Sequence, residues 1–164
     1  MIEGSDPLTP AQEESPLATP LEQQLCFALY VSAKEIIRRY KPLLEPLHLT
    51  YTGYITMMVL WERDGLSVKE LGERLTLDSG TLTPVLKKLA AQGYVVRTRS
   101  PEDERTVLIS LTARGRELRA QAAPVPQQLF RAADIDPAQT VRLTRALRAL
   151  SDYLFDRRPG TVDS

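Results

Sequence analysis

The sequence predicts a mainly α-helical domain that carries one small β-hairpin. Apolar residues recur at spacings of three and four along most of the chain, which is the period of helices packed on a core. Helix-capping signals divide this pattern into separate segments. One stretch, residues 94–111, is rich in β-branched residues on both sides of a polar turn, which indicates two antiparallel strands.

Length and composition favour one domain with loose ends. With 164 residues and 43% apolar side chains the chain can bury a core, and we place a single domain at residues 19–155. Residues 1–18 carry four acidic side chains and no basic one among Pro and Ser, so a solvated tail is expected there. A second tail is expected at residues 156–164.

Several classes of protein are disfavoured. One Cys cannot form an intramolecular disulfide, and one His is too few for an ordinary zinc site. No apolar run approaches the roughly 20 residues of a membrane span, and no signal peptide is visible. We therefore expect a cytoplasmic protein without a cofactor, a metal or a membrane partner.

The first two helices follow from capping and periodicity. Thr19-Pro20-Leu21-Glu22 is a capping box that opens a helix to about Tyr40, and Pro42 and Pro46 loosen its end. Residues 50–62 (TYTGYITMMVLWE) predict a largely buried second helix.

A pair of shorter helices and the hairpin come next. A second capping box, at residues 67–70, opens a helix to about Leu75, and Asp78 caps another from Ser79 to Gln92. Gly93 ends that helix, and residues 94–99 and 105–111 form the two strands.

The remaining sequence predicts further helices. Thr112 caps one that Pro124 and Pro126 should kink or break, and Pro137 opens the last. A helix, a turn, a second helix and a hairpin form the winged helix-turn-helix order, which we place at about residues 50–111.

The charge distribution supports a DNA-reading role for this region. Acidic and basic residues both total 21, so the whole chain has no net charge. From residue 83 to residue 99 there is no acid, and the basic residues are Lys87, Lys88, Arg97 and Arg99. A local basic stripe therefore lies on the second helix and the wing, the elements that would contact DNA.

The start of the second helix adds polar groups suited to phosphates and base edges. The candidate DNA contacts there are Ser79, Gly80, Thr81, Thr83 and Pro84. Near the wing tip Arg105 could enter a minor groove, with Asp103 pairing with it and holding it in place. The alternatives are a hydroxyl-rich cap on a solvated face and an ordinary surface ion pair.

The wing carries a family motif. Asp103-Glu104-Arg105 followed by residues 107–112 (VLISLT) resembles the signature of the MarR family of bacterial transcription regulators. The resemblance covers about residues 20–155. It implies a homodimer whose terminal helices, about 19–44 and 112–155, interlock.

The single cysteine lies on the apolar face of the first helix. That face comprises Cys26, Tyr30, Ala33, Ile37, Tyr40 and Leu44, so the thiol is expected to point inward. A free cysteine in such a place is most simply a small buried hydrophobe.

Tyrosines near this thiol suggest more than packing. Four of the six lie in the first two helical segments, and a tyrosine hydroxyl can donate a hydrogen bond that favours a thiolate. Cys26 and Tyr40 are 14 residues apart, about 21 Å along a straight helix, so they cannot meet within it. They could meet if the first helices of two subunits cross antiparallel.

The same residues carry a closer resemblance. Residues 25–30 (LCFALY), 40–44 (YKPLL) and 77–84 (LDSGTLTP) look like the organic hydroperoxide resistance regulators, a MarR branch. The resemblance implies that Cys26 is a peroxide-sensing thiol bonded by Tyr40 and Tyr51 of the partner subunit. No second Cys is present, so the one-cysteine mode is implied.

The sequence thus predicts a peroxide-sensing repressor, not an enzyme. It would bind operator DNA as a homodimer and release it when an organic hydroperoxide oxidises Cys26, which is then capped by a small cellular thiol or overoxidised. A pocket for the hydroperoxide would be lined by five residues whose simplest interpretation is ordinary core: Phe27, Tyr30, Met57, Met58 and Trp61. The alternatives are a MarR-type regulator with a small phenolic or lipophilic effector and a structural Cys26, a thiol peroxidase, and a pure dimerisation module.

Overall fold

A computed structural model describes residues 20–156. The chain divides into two compact units, Met1–Arg38 and Arg39–Ser164, and the boundary falls inside the first long helix. The expected tail at 1–18 and the Thr19 cap lie outside the described residues, as does nearly all of the C-terminal tail.

The first unit contains a short helical turn and most of a long helix. A 3-10 turn at Leu21–Gln23 precedes α1, Leu25–Leu44, which continues into the second unit. The predicted start at Pro20 was wrong, because Pro20 has extended backbone angles and only precedes the 3-10 turn. Pro42 lies inside α1, and the helix ends two residues later.

The second unit follows the predicted order of elements. After a 3-10 turn at Glu45–Leu47, its helices are α2 Tyr51–Glu62, α3 Val68–Leu75, α4 Ser79–Ala91, α5 Ala113–Ala122, α6 Val125–Ala133 and α7 Pro137–Asp156. Its strands are β1 Leu66–Ser67, β2 Val95–Arg99 and β3 Val107–Leu111.

Capping side chains set the helix starts, as predicted. Ser67 and Glu70 form a complete capping box on α3, and Asp78 caps α4. Thr112 caps α5 by accepting the amide hydrogen of Gly115. Gly93 ends the α4 segment with a positive φ of 75°, a backbone conformation that glycine adopts without a Cβ clash.

The hairpin is part of a three-stranded antiparallel sheet. Its strand order is β1-β3-β2, with Val95 opposite Leu111 and Arg99 opposite Val107. The prediction of two strands missed β1, because a two-residue strand before a helix cap has no periodicity to detect.

The core belongs to the winged helix-turn-helix. Its buried side chains come from every element between the end of α1 and α6, and the fully buried ones include Leu44, Met57, Leu60, Leu71, Leu82, Leu86 and Ile109. No residue of α7 is buried, and in α1 only Leu44 is. Among residues 20–156, no helix is both long enough and apolar enough to cross a membrane.

Candidate redox thiol and nucleic-acid interface

The first turn of α4 is held by an acidic cap. Asp78 accepts hydrogen bonds from both the amide nitrogen and the hydroxyl of Thr81, each at 2.9 Å. These bonds lower the pKa of Asp78 below its ordinary value, so the cap stays ionised at neutral pH. The Thr81 hydroxyl is therefore used within the cap, while Ser79 and Gly80 remain exposed beside it.

A wide cleft separates the helix pair from the wing. It has a volume of about 1160 Å³, and its lining includes Ser79 and Thr83 from α4, Arg97 from β2 and Arg105 from the wing loop. Two basic side chains and two hydroxyls from distant parts of the sequence thus face one space. This is the arrangement that contacts to a phosphate backbone and a groove require.

The predicted basic stripe divides between two faces of α4. Ser79, Thr83 and Lys87 follow one another at intervals of four residues along the helix. Pro84 and Lys88 instead line a smaller pocket with residues at the start of α2. Both lysines are exposed, but only Lys87 continues the row that lines the cleft.

The wing loop has an internal network of hydrogen bonds. Asp103 accepts the amide hydrogen of Arg105 at 3.0 Å and the hydroxyl hydrogen of Thr106 at 2.8 Å. The predicted pairing of Asp103 with the Arg105 guanidinium is corrected by this geometry, because a carboxylate two residues away in a turn reaches the backbone first. Asp103 therefore holds the backbone of the loop and leaves the Arg105 side chain exposed.

Arg99 has a partner in the same loop. Its guanidinium donates to the carbonyl oxygen of Glu104 at 2.8 Å. Arg99, which was predicted to contact DNA, therefore also stabilises the wing.

Cys26 is exposed and makes no disulfide. The prediction that it points inward was wrong for the single chain. Its helix face is exposed as well, with Tyr30 and Ile37 at 62% and 43% of their maximal accessible surface. The physical reason is that an apolar helix face is buried only where another element covers it, and the described part of the first unit, residues 20–38, contains no other long helix.

Three tyrosines form a cluster in the second unit. The ring centroids of Tyr40 and Tyr51 are 5.0 Å apart, and those of Tyr40 and Tyr54 are 5.9 Å apart. Burial, together with the neighbouring phenols, raises the pKa of Tyr40 to about 12 and also raises that of Tyr54. The hydroxyls of Tyr40 and Tyr54 therefore remain protonated donors at neutral pH. Within residues 20–156 none of the three hydroxyls makes a hydrogen bond.

Several known proteins are similar to this chain in sequence and in fold. A family model described as transcriptional regulator SarA/Rot matches residues 38–121. The organic hydroperoxide resistance transcriptional regulator of Bacillus subtilis (strain 168) is 45% identical over 137 residues, which are 84% of this chain and 93% of that protein. The chain belongs to the organic hydroperoxide resistance regulator branch of the MarR family. The relatives are transcriptional regulators rather than enzymes.

Solved structures of AbfR from Staphylococcus epidermidis are also similar to this MarR-family chain. Reduced AbfR bound to DNA matches with a TM-score of 0.72 and 28% identity, covering 82% of this chain and 94% of that one. Overoxidised AbfR bound to DNA matches with a TM-score of 0.65 and 30% identity over the same shares.

The five residues suggested for a hydroperoxide pocket differ in their surroundings. In this MarR-family chain Phe27 and Tyr30 belong to the first unit, and the other three belong to the second. Met57 is fully buried in the core, whereas Met58 is exposed. The indole nitrogen of Trp61 donates to the carbonyl oxygen of Gly115 at 2.8 Å, so this residue has a structural partner.

Sequence reasoning missed residues that connect the elements of the MarR-type domain. The hydroxyl of Tyr94 donates to the carbonyl oxygen of Leu47 at 3.0 Å and ties the base of the wing to the 3-10 turn that follows α1. Asp64 accepts bonds from β3 and α5. The Asp64-Gly65 pair was a visible turn signal, but its partners are 47 and 52 residues away, beyond any local pattern.

Proposed function

We propose that this protein is a peroxide-sensing transcriptional repressor. A homodimer binds double-stranded operator DNA while Cys26 is reduced and releases it when an organic hydroperoxide oxidises Cys26. The observation that carries the proposal is an exposed thiol on an apolar helix face, in a chain where the hydroxyls of Tyr40 and Tyr51 have no partner within residues 20–156.

The exposed apolar side chains support dimerisation. They concentrate on two helices: Leu25, Tyr30, Val31, Ile36 and Ile37 on α1, and Val141, Leu143, Leu147, Tyr153, Leu154 and Phe155 on α7. A large apolar surface in water marks an interface, and two-fold symmetry is the commonest way for one chain to cover its own copy. In a dimer with antiparallel α1 helices, the Cys26 end of one helix approaches the tyrosine end of the other.

The chemistry at Cys26 follows from the polarity of a peroxide. The thiolate attacks the terminal peroxide oxygen, so an S–O bond forms as the O–O bond breaks, and the alkoxide leaves and takes up a proton as an alcohol. The sulfur loses two electrons and becomes a sulfenic acid. A small cellular thiol then condenses with it, giving a mixed disulfide and water. The sequence offers no second cysteine for an intrachain disulfide.

DNA release would follow because the group added to Cys26 needs extra space at the dimer interface. A capped thiol cannot occupy the space of a hydrogen-bonded thiolate, so the helices around it must shift. The two α4 helices of a dimer read half-sites about one helical turn apart, and this spacing tolerates little error. Because AbfR has been seen on DNA in an overoxidised form, we expect the mixed disulfide to be the form that releases DNA most completely.

Fluorescence anisotropy tests the proposal directly. A labelled duplex from upstream of the gene is titrated with wild type, Cys26→Ser and Tyr40→Phe, with and without cumene hydroperoxide and a small thiol. We expect wild type to release DNA on oxidation and to rebind after dithiothreitol, Cys26→Ser to ignore peroxide, and Tyr40→Phe to react about tenfold more slowly, because a charge-assisted hydrogen bond is lost.

Two outcomes would contradict the proposal. If Cys26→Ser released DNA with peroxide as wild type does, the thiol would not be the sensor. If both bound and neither released, Cys26 would be structural and the effector would be a reversibly bound small molecule.

A further inference from the structure

Asp64 connects three elements of the second unit. It follows α2, and its carboxylate accepts the amide hydrogens of Gly65 and Leu111, each with a donor to acceptor distance of 2.8 Å. The guanidinium of Arg116 donates to its second oxygen at 3.1 Å. One side chain therefore joins the end of α2 to the last residue of β3 and to the first turn of α5.

The register of the sheet explains why a carboxylate is needed there. Leu66 lies opposite Ile109 and Ser67 opposite Leu108, so a longer β1 would place Asp64 opposite Leu111. The chain leaves this path at Gly65, whose φ is 73°. The amide of Leu111 points to the same edge of β3 as that of Ile109, because backbone groups alternate along a strand. The Asp64 carboxylate supplies the acceptor that a longer β1 would have provided.

A second contact attaches the same end of α2 to α5. The indole nitrogen of Trp61 donates to the carbonyl oxygen of Gly115. A Cβ at Gly115 would overlap the carbonyl oxygen of Tyr94, so this turn of α5 lies directly against the base of the wing. The end of α2, the base of the wing and the start of α5 are thus packed as one junction.

This junction lies at one end of β3, and the wing loop that carries Arg105 lies at the other end. β3 runs from Val107, close to the wing loop, to Leu111 at the junction, a distance of roughly 13 Å over four residue-to-residue steps. A small change of angle at Leu111 is therefore enlarged at the loop. The other end of α2 carries Tyr51 and Tyr54, which contact Tyr40.

We propose that Asp64 is a positioning residue, through which α2 sets the direction of the wing and so places Arg105 on DNA. This rests on the DNA binding of the proposed function, but not on its redox step. Removing the carboxylate leaves the Arg105 side chain in place and releases the strand that carries it.

A double-mutant cycle with reduced protein tests the role. Dissociation constants for the labelled duplex are measured by anisotropy for wild type, Asp64→Ala, Arg105→Ala and the double variant. We expect Asp64→Ala to weaken DNA binding about tenfold when it is made in the wild-type protein. When it is made in Arg105→Ala, the loss should be less than about twofold, because Asp64 acts on DNA only through the contact that Arg105 makes. A merely destabilising substitution would weaken both backgrounds equally.

Matched variants control for charge and folding. Glu62→Ala removes a carboxylate two residues away, whose partner is Arg74, and should leave binding near the wild-type value. Asp64→Asn keeps an acceptor for the Leu111 amide and should restore most of the binding. Amide hydrogen exchange should be faster at Leu111 in Asp64→Ala and unchanged in Glu62→Ala.

Equal loss in both backgrounds, or unchanged exchange at Leu111, would overturn the role of Asp64. Failure of the proposed function has a different signature. If wild type bound DNA and ignored peroxide, the redox proposal would fail while the cycle still decided the role of Asp64. If wild type bound no duplex, the DNA-binding proposal and this role would both fail.

Discussion

Each helix of the helix-turn-helix region contributes buried side chains to the core, whereas the two long helices α1 and α7 are largely exposed. Six of the 12 residues of α2 are buried, whereas α1 buries only Leu44 among its 20 and α7 buries none of its 20. All three helices contain apolar residues. The difference is that α2 is covered by other helices and strands of the second unit, whereas within residues 20–156 most apolar side chains of α1 and α7 are exposed.

This contrast separates two tasks within one short chain. The DNA-reading elements pack on a core that a single chain completes, so their relative positions are set before any partner binds. The thiol lies on a helix whose apolar face is still exposed, so its surroundings depend on what covers that face. A thiol placed there can be oxidised at a subunit interface without unfolding the helix-turn-helix and the wing.

The largest expected effect is a core substitution in the helix-turn-helix. Leu71 is fully buried, and Leu71→Ala should lower the free energy of unfolding by about 2–5 kcal/mol through lost burial and a residual cavity. Urea unfolding at several protein concentrations is the measurement. The loss should be the same at every concentration, whereas Ile37→Ala, on the exposed face of α1, should have an effect that varies with concentration. If the effects of Leu71→Ala and Ile37→Ala varied equally with protein concentration, the distinction between a core within one chain and an exposed face covered by a partner would be wrong.

A charge on the exposed face of α7 should act on assembly rather than on the core. Leu147→Asp is expected to dissociate the dimer and to weaken DNA binding by about 100-fold, because the two half-sites are no longer bound together. Ala149→Asp, on the opposite side of the helix, is the matched control. Sedimentation velocity and anisotropy would show the effect, and a Leu147→Asp dimer of normal stability would exclude α7 from the interface.

The two adjacent lysines of α4 should differ. Lys87 continues the row that lines the cleft, and Lys88 lines the pocket beside α2. We expect Lys87→Ala to reduce the slope of log affinity against log salt by about one, and Lys88→Ala to change it by much less. Anisotropy titrations at a series of salt concentrations compare the two variants. Identical slopes would mean that both lysines contact phosphate.

The smallest expected effect is a pH response of the wing loop. Hydrogen bonds from Thr106 and the Arg105 amide lower the pKa of Asp103 below 3.8, so the stabilisation by its carboxylate is complete above 3.8. It is lost as the pH falls through the lower pKa of the folded protein. The amide signal of Arg105 should therefore shift in strongly acidic solution and not near neutrality. In Asp103→Asn that acidic shift should disappear; its persistence would assign the titration to another group.

The sequence alone determined the order of elements, because helix starts depend on local chemistry. The caps at Ser67, Asp78 and Thr112 and the break at Pro124 act through neighbours in the chain, so they could be identified without the fold. The candidate thiol and the basic residues of the wing were predicted for the same reason. Each has a residue type and a spacing that carry chemical meaning by themselves.

Only the tertiary structure decided how distant residues meet. It placed Lys88 at the pocket beside α2, turned Asp103 toward the backbone of its loop, and joined Asp64 to Leu111 and Arg116. It also left Cys26 exposed, although the apolar face around it predicted burial. Periodicity shows that a helix has an apolar face, but burial requires a second surface to cover it, and residues 20–38, the described part of the first unit, do not supply that surface for α1.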